Sequence, residues 1–213
     1  MSRDALAEPT LPFAPSLRDH DLAGGHLRIW SSFFEPPRAS EMLDRLWHEV
    51  EWSQHHVRIA GRRVPCPRLS AWYGVDGAHY AYSGHTYLPL PFSPLLNEIR
   101  REVESATGHP FNSVLLNAYR DGRDSMGWHS DDEPELGVRP VIASVSLGAT
   151  RRFRLRHRRQ DLDPVALDLE HGSLLVMDGD TQAHWHHAVP KTRRLVELRV
   201  NLTFRRIRNE GAL

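Results

Sequence analysis

Residues 199–205 read Arg-Val-Asn-Leu-Thr-Phe-Arg, and residues 128–133 read Trp-His-Ser-Asp-Asp-Glu. The first stretch alternates polar and apolar residues with a period of two, which is typical of a β-strand whose two faces meet different surroundings. In the second stretch His129 and Asp131 stand two positions apart, so in an extended chain their side chains point to the same side. The two stretches therefore predict a mainly β fold whose strands carry polar and metal-ligating side chains.

The His-x-Asp pair supplies two of the three ligands of a non-haem iron(II) site, which takes two histidines and one carboxylate and leaves other positions open. The second histidine would come from a later segment that contains His184, His186 and His187. Spacing does not choose among these three, although in a strand His184 and His186 share a face that His187 does not. Because the chain has 14 histidines, a His-x-Asp pair also arises by chance and does not establish a site alone.

The strand at residues 199–205 places two arginines, an amide and a hydroxyl on one face. These residues are Arg199, Asn201, Thr203 and Arg205. Arginine binds carboxylates in a bidentate manner, so a barrel that holds a small dicarboxylate would use such a polar interior. An ordinary half-exposed strand shows the same alternation, and both interpretations stay open. Asn117 and Tyr119, again two positions apart, would line the same interior from a neighbouring strand.

Composition indicates one globular domain without a global charge signal. The chain has 213 residues and a mass of 24.4 kDa, enough for one substantial core. It carries 27 basic and 27 acidic side chains, so a nucleic-acid-binding role would depend on local patches. Cys66 is the single cysteine, which excludes an internal disulfide and a zinc knuckle. A single cysteine fits a reducing cytoplasm, and no apolar run approaches the ~20 residues of a membrane span. We therefore expect a cytoplasmic protein with no membrane partner, and we also expect a monomer.

Two helices and a series of short strands are predicted from periodicity and turn residues. Residues 36–50 and 94–107 have apolar residues at helical spacing, and Ser93 is a candidate N-cap for the second. The predicted strands cover residues 114–119, 141–147, 152–158, 166–169, 174–177 and 195–204. This order predicts an α+β, mainly β fold, a double-sheet jelly roll with helices packed outside.

With these residues in place, the chain resembles the AlkB family of iron(II) and 2-oxoglutarate-dependent dioxygenases from about residue 52 to residue 207. The resemblance is carried by Asn117-Ala-Tyr119, Trp128-His129-Ser-Asp131-Asp132-Glu133, Trp185-His186-His187 and Arg199-Val-Asn-Leu-Thr-Phe-Arg205. Two further motifs are closest to the vertebrate-type DNA-repair members, namely Pro67-Arg68 and Tyr80-Ala-Tyr82-Ser83-Gly84. One departure is His186, which stands where relatives usually have tyrosine.

The resemblance implies a double-stranded β-helix, or jelly roll, with outer helices and an N-terminal nucleotide-recognition region. Residues 1–25 would form a loosely ordered leader, and residues 26–213 a single catalytic dioxygenase domain. Within that domain, about residues 52–90 would recognise the nucleotide and about residues 111–207 would form the jelly-roll core.

Site roles also follow from the resemblance. Fe(II) would be held by His129, Asp131 and His187. The pocket for 2-oxoglutarate would be formed by Asn117, Tyr119, Arg199, Asn201, Thr203 and Arg205. Arg205 would pair with the terminal carboxylate of 2-oxoglutarate, and Arg199 would lie near its 1-carboxylate end. The slot for the damaged base would be lined by Trp72, Tyr80, Tyr82, Ser83, Asp132 and Glu133.

The implied reaction is oxidative demethylation of N-alkylated bases, of the 1-methyladenine and 3-methylcytosine type, in DNA and as an open alternative in RNA. It would consume O₂ and 2-oxoglutarate and release formaldehyde, succinate and CO₂. Two other functions stay open: an oxygenase of the same chemistry that acts on a protein or small molecule, and a non-catalytic nucleic-acid-binding module.

Two basic stretches are candidates for contact with the nucleic-acid backbone. One is a loop with Lys191, Arg193 and Arg194, and the other is a strand that includes Arg152 and Arg154. A solvated surface is the usual explanation for such charges, but beside a base-sized pocket we expect phosphate contacts. The resemblance places residues 57–63 where duplex-repairing relatives present an apolar wedge, and Ile59 would be a modest wedge there. Because this segment has no large aromatic residue, we expect single strands or weakened base pairs to be favoured over intact duplex.

Overall fold

Strands dominate the structure, as the alternation of polar and apolar residues predicts. The computed structural model describes residues 16–59, 61–77, 80–82, 85–87 and 89–208. Side chains are described throughout these ranges except at residues 58–59, 80–82 and 85–87. Within the described ranges, no helix is long and apolar enough to cross a membrane.

The described residues form fifteen strands and three α-helices. The strands are β1 (Leu17–Leu22), β2 (Gly25–Trp30), β3 (His56–Ile59), β4 (Arg62–Pro65), β5 (Leu69–Gly74), β6 (Tyr80–Tyr82), β7 (His85–Tyr87), β8 (Ser113–Tyr119), β9 (Met126–His129), β10 (Ile142–Gly148), β11 (Arg151–His157), β12 (Val165–Leu169), β13 (Ser173–Gly179), β14 (Trp185–Val189) and β15 (Arg199–Arg205). The helices are α1 (Pro36–Glu49), α2 (Pro94–Thr107) and the single turn α3 (Thr181–His184).

Two antiparallel sheets build the core of the fold. The major sheet has the order β1-β2-β13-β10-β15-β8-β5, and the minor sheet has the order β12-β11-β14-β9. One apolar cluster joins the two sheets, because it contains Ile29 and Met177 of the major sheet together with Leu155 and Trp185 of the minor sheet. Two hairpins, β3–β4 and β6–β7, lie outside both sheets. They fall in the segment predicted to recognise the nucleotide.

The helices cover the other face of the major sheet. Val200, Leu202 and Phe204 of β15 are fully buried and belong to the cluster that includes Leu46 of α1 and Ile99 of α2. The polar residues of the same strand must therefore point between the two sheets. Both faces of β15 are buried, so an ordinary half-exposed strand is ruled out for residues 199–205.

Both helices were predicted close to their observed bounds. The Ser93 hydroxyl accepts a hydrogen bond from the Leu96 backbone N–H, and α2 ends at Gly108 with a φ of 73°. This is the left-handed conformation that glycine adopts at low cost at the end of a helix.

Two predicted segments differ from the structure. Residues 17–25 were expected to belong to a loosely ordered leader, yet β1 pairs with β2 over its whole length. Strand β1 is exposed and mostly polar, so its sequence lacks the alternation of polar and apolar residues that predicts a strand. An edge strand can pair through its backbone alone. The last predicted strand was wrong in its first residues, because β15 begins at Arg199 and Leu195 is fully exposed. The part of the predicted leader at residues 1–15 lies outside the described residues.

Candidate metal centre and co-substrate pocket

Strands β9 and β14 of the minor sheet, with the residues just after β9, bring together three metal-ligating side chains. His129 is the last residue of β9 and faces His187 of β14, with 4.2 Å between their ring centroids. Asp131 follows two residues beyond β9, outside the strand. The ligand atoms of His129, Asp131 and His187 all lie within 4.8 Å of one another. Of the three neighbouring histidines, His187 joins this group, while His186 lies on the opposite face of β14 and His184 ends α3.

The protonation states of this group suit a metal ion. Burial alone would raise the pKa of Asp131, but electrostatic interactions, the largest with the Arg205 guanidinium, hold this pKa below its usual value. Burial lowers the pKa of His187 to about 3, so its imidazole is neutral at physiological pH. Metal ligands must be ionised carboxylates and neutral imidazoles, and Asp131 and His187 meet these conditions.

Hydrogen bonds around the group fix how the ligands point. His129 Nδ1 donates to the Gly127 carbonyl at 2.9 Å, because a carbonyl oxygen can only accept, and this leaves Nε2 as the ligand atom. The Asp131 backbone N–H donates to Gln182 Oε1 at 2.9 Å. Ser130 Oγ donates to the Trp185 carbonyl at 3.1 Å. The donor set and its support therefore fit Fe(II), for which nitrogen and oxygen ligands with open positions are typical.

Two adjoining cavities meet at the metal-ligating group. They share Asn117, Met126, His129, Asp131 and Arg205. The first cavity extends toward β5 and the segment before it, where Trp72 and Arg68 line its wall. The second cavity extends between the sheets to Arg199. A co-substrate and a substrate would thus approach the same metal from two sides.

Arg199 lies at the inner end of the second cavity with most of its hydrogen-bonding capacity unused. Its side chain is fully buried, and Nη2 donates to Ser146 Oγ at 2.9 Å. Nε and Nη1 are buried without a hydrogen-bond partner. Burial lowers the pKa of Arg199 to about 10, so the guanidinium is still charged at neutral pH. A buried cation with unpaired donors is costly, which indicates an anionic ligand at this position.

The two arginines of β15 lie at different distances from the metal group. Arg205 Nη2 donates to Asp131 Oδ1 at 2.5 Å, so Arg205 is beside a metal-ligating carboxylate. Arg199 lies at the other end of the strand. The implied pairing of Arg205 with the terminal carboxylate stays a prediction. The geometry favours Arg199 for that role, because a 2-oxo acid that binds a metal would bring its 1-carboxylate to the Arg205 end.

The remaining residues assigned to 2-oxoglutarate all line the second cavity: Asn117, Tyr119, Asn201 and Thr203. Two of them are held by residues that the sequence analysis did not assign to this pocket. Asn201 Nδ2 donates to Ser144 Oγ at 2.7 Å, and Arg68 Nε donates to Asn117 Oδ1 at 2.8 Å. Ser144 and Ser146 stand two positions apart on β10, and this spacing was the available signal for their common direction.

The residues assigned to the damaged base are only partly brought together. Trp72 and Glu133 line the first cavity. Asp132 does not line it, because this exposed carboxylate accepts a hydrogen bond from Arg158 Nη1 at 2.7 Å. Tyr80 and Tyr82 lie on β6, but their side chains are outside the described part, and Ser83 is not among the described residues.

The two basic stretches have different settings. Lys191, Arg193 and Arg194 are exposed in the loop between β14 and β15. Arg152 and Arg154 point outward from β11, and Arg152 forms an ion pair with Asp168 at 3.2 Å. The side chain of Ile59, the predicted wedge, lies outside the described side chains.

Comparisons with known proteins agree with this geometry. Residues 26–205 match the 2OG-Fe(II) oxygenase superfamily. The chain is 44% identical over 188 residues to alpha-ketoglutarate-dependent dioxygenase alkB homolog 3 of Rattus norvegicus, covering 84% of this chain and 63% of that protein. It is 41% identical over 203 residues to DNA oxidative demethylase ALKBH2 of Homo sapiens, covering 91% of this chain and 77% of that protein. This chain belongs to the AlkB family.

The AlkB fold is also visible in the coordinates. A solved structure titled "The structure of OsALKBH1" matches with a TM-score of 0.66 and 16% identity, covering 89% of this chain and all of that one. The predicted jelly roll is thereby confirmed. This AlkB-family chain spans less than two thirds of the length of the alkB homolog 3 proteins that it matches.

Proposed function

We propose that this AlkB-family chain is an Fe(II)- and 2-oxoglutarate-dependent dioxygenase that demethylates N-alkylated bases in DNA, with RNA as an open alternative. The observation that carries the proposal is one cavity that is lined both by the His-Asp-His group and by the buried guanidinium of Arg199 with its two unpaired donor atoms. The names of its relatives, which include DNA oxidative demethylase ALKBH2, support the choice of DNA.

In this proposal His129, Asp131 and His187 hold Fe(II), which supplies the oxidising chemistry when O₂ and 2-oxoglutarate are bound. The chain itself binds and orients the co-substrate. Arg199 receives its terminal carboxylate, since a charged, preorganised fork is suited to a carboxylate. The second cavity lies between two sheets, and Phe153 stacks on the His187 ring at 5.3 Å, so this side of the metal group is shielded from water.

The first cavity is the candidate slot for the base. A base in a duplex must leave the stack to enter such a slot, at a cost of a few kcal/mol, and a base with a methylated pairing edge leaves more easily. Trp72 offers an aromatic wall, and Glu133 offers a carboxylate that complements the positive charge of 1-methyladenine or 3-methylcytosine. Contacts of Tyr80, Tyr82 and Ser83 with the base stay predictions.

Backbone contacts would come from the exposed loop that holds Lys191, Arg193 and Arg194. Thr192 N donates to the Gly122 carbonyl at 2.8 Å, which ties this loop to the segment leading into β9. Its charges therefore have a fixed position relative to the metal-ligating strand. A monomeric state and a cytoplasmic location also stay predictions, which size-exclusion chromatography and microscopy of a tagged protein would test.

The test uses anaerobically purified protein loaded with Fe(II), then given 2-oxoglutarate, O₂ and oligonucleotides that carry 1-methyladenine or 3-methylcytosine. We expect formaldehyde and repaired base from the wild type and from His184→Ala, and neither product from His129→Ala. Succinate without repair of any oligonucleotide would instead indicate an oxygenase with a protein or small-molecule substrate. Tight DNA binding without any turnover would indicate a non-catalytic module.

A further inference from the structure

The outer face of the minor sheet carries an exposed aromatic ring beside two arginines. On β11, Arg154 and Arg156 are exposed and point outward, while Leu155 between them is buried. On β9, Trp128 must also point outward, because its neighbour His129 points into the metal-ligating group. Trp128 is 37% exposed. Tryptophan is highly buried on average, so an exposed indole next to a metal ligand calls for a function.

The three side chains form one cluster across the strands. β14 lies between β9 and β11, and Arg154 pairs with Ala188 in the register of β11 and β14. The small side chain of Ala188 leaves room for the indole to reach across β14. The Cζ atoms of Arg156 and Arg154 lie 4.4 Å and 6.0 Å from the Trp128 ring centroid. We call these three residues, Trp128, Arg154 and Arg156, the Trp128 platform.

The charge of this platform is not compensated locally. The neighbouring outward arginines have carboxylate partners, since Arg152 pairs with Asp168 and Arg158 pairs with Asp132. Across the part of the chain that the structure describes, Arg154 and Arg156 form no ion pair. Two adjacent guanidinium groups repel each other, so an anionic partner would be favoured at this position.

We propose that the Trp128 platform binds unpaired nucleotides that flank the alkylated base in single-stranded nucleic acid. A base stacks on the exposed part of the indole, and phosphates pair with Arg154 and Arg156. Single strands fit this combination of an aromatic ring and flanking cations, because their bases are free to stack. A duplex offers its phosphates but hides its base faces. The inference rests on the proposed nucleic-acid substrate, and it adds a second contact surface outside both cavities.

Binding of an unmodified, fluorescently labelled thymidine 15-mer at several salt concentrations tests the platform without any chemistry. Trp128→Leu is expected to weaken binding about 5- to 100-fold with an unchanged salt dependence, since it removes stacking. Arg156→Ala is expected to make the slope of log K against log salt shallower by about 0.7, the value for one phosphate on a single strand. Arg101→Ala removes the same charge from an exposed position on α2 and should leave the slope unchanged.

A second measurement separates this proposal from the proposed function. For a 3-methylcytosine 15-mer, Trp128→Leu should raise KM and leave kcat unchanged. For the mononucleotide 3-methyl-dCMP, which has no flanking nucleotide, both constants should match the wild type. Trp128→Phe, which keeps a ring, should give an intermediate KM on the 15-mer. Thermal melting and Co(II) absorbance check that the variants keep their fold and metal group.

Two outcomes overturn the platform: 15-mer binding by Trp128→Leu within twofold of wild type, or equal changes in salt slope for Arg156→Ala and Arg101→Ala. If wild type repairs the 15-mer while either outcome is seen, the platform fails and the proposed function stands. If no alkylated oligonucleotide is repaired but binding changes as expected, the demethylase proposal fails and the platform stands.

Discussion

Replacing Arg199 with methionine is expected to lower the affinity for 2-oxoglutarate strongly while it changes the stability of the ligand-free protein little. The structure leaves Nε and Nη1 of Arg199 buried and unpaired, and Nη2 uses one of its two hydrogens for Ser146, so one edge of the guanidinium keeps two parallel N–H donors for a carboxylate. Hydrogen bonds to charged groups contribute about 1.5–3 kcal/mol each. Loss of two such bonds corresponds to about 3–6 kcal/mol, so the affinity for 2-oxoglutarate should fall roughly 10²- to 10⁴-fold.

The same substitution should not destabilise the ligand-free protein strongly. Arg199 is a fully buried cation whose lowered pKa reflects its desolvation. Replacement of buried charges by apolar groups of similar volume is often neutral or stabilising by about 1–4 kcal/mol. The lost hydrogen bond to Ser146 costs about 0.5–1.5 kcal/mol. We therefore expect an unfolding free energy between about 1.5 kcal/mol below and about 3 kcal/mol above that of the wild type.

Arg151→Met is the matched control, because Arg151 is also buried but its donors are used. Its guanidinium donates to the carbonyl oxygens of Asp121, Asp124 and Pro190 at 2.8–3.1 Å. The variant should lose at least about 2 kcal/mol of stability, since buried acceptors are left unpaired. Its affinity for 2-oxoglutarate should stay within about fivefold of the wild type, a ratio worth about 1 kcal/mol.

Calorimetric titration of 2-oxoglutarate into Mn(II)-loaded protein and urea unfolding of the metal-free protein measure the two quantities. Binding by Arg199→Met within about threefold of wild type, less than 1 kcal/mol, would refute the assignment of Arg199 to the terminal carboxylate. A loss of more than about 3 kcal/mol in the same variant would refute the argument that the buried cation is a cost. If Arg205→Met alone lost 2-oxoglutarate affinity, the roles of the two arginines would return to the order first implied.

Three further predictions concern the metal group and the scaffold. His187→Ala should lower Co(II) affinity at least ~100-fold, whereas His186→Ala should stay within a few-fold; equal losses by spectroscopic titration would reject the choice of ligand. Burial raises the pKa of Asp124, but hydrogen bonds from its arginine partner outweigh burial and lower it. Asp124→Asn should therefore cost about 1–3 kcal/mol in urea unfolding at pH 7, and the difference should disappear as pH falls through the lowered pKa; a constant difference down to pH 2 would contradict this. Gly148→Ala should destabilise by roughly 2 kcal/mol more than Gly108→Ala, because both have positive φ but only the first new Cβ would meet a carbonyl oxygen, at 2.2 Å; equal melting shifts would refute it.

Local signals in the sequence were sufficient for the helices and for the strand that defines the core. Ser93, Pro94 and Gly108 bound α2 through side-chain and backbone preferences that act within a few residues. The alternation of residues 199–205 indicated two faces, and the structure buries one under the helices and the other between the sheets. The edge strand β1 was missed because pairing through the backbone leaves no trace in the order of polar and apolar side chains.

The third candidate metal ligand could not be identified from sequence spacing alone. His187 meets His129, 58 positions earlier in the chain, because β14 pairs with β9, and a register shift in this pair decides which residues lie opposite. A slip by one residue would turn His186 inward and His187 outward. Long-range register depends on the packing of the whole minor sheet, so three adjacent candidates could not be separated by local arguments.

The position of each arginine along the cavity could not be predicted from spacing either. This position bears on which end of 2-oxoglutarate each arginine would meet. Spacing places Arg199 and Arg205 on one face, but only the fold shows that Arg205 contacts Asp131 and that Arg199 lies far from it along β15. Counting the partners of each buried guanidinium then distinguishes their roles. Arg151 donates to three carbonyl oxygens and holds the scaffold, Arg205 is paired with Asp131, and Arg199 interacts with Ser146 and Tyr119 and keeps two unpaired donor atoms. Unpaired donors on a buried guanidinium therefore distinguish Arg199 as the candidate for binding the co-substrate carboxylate.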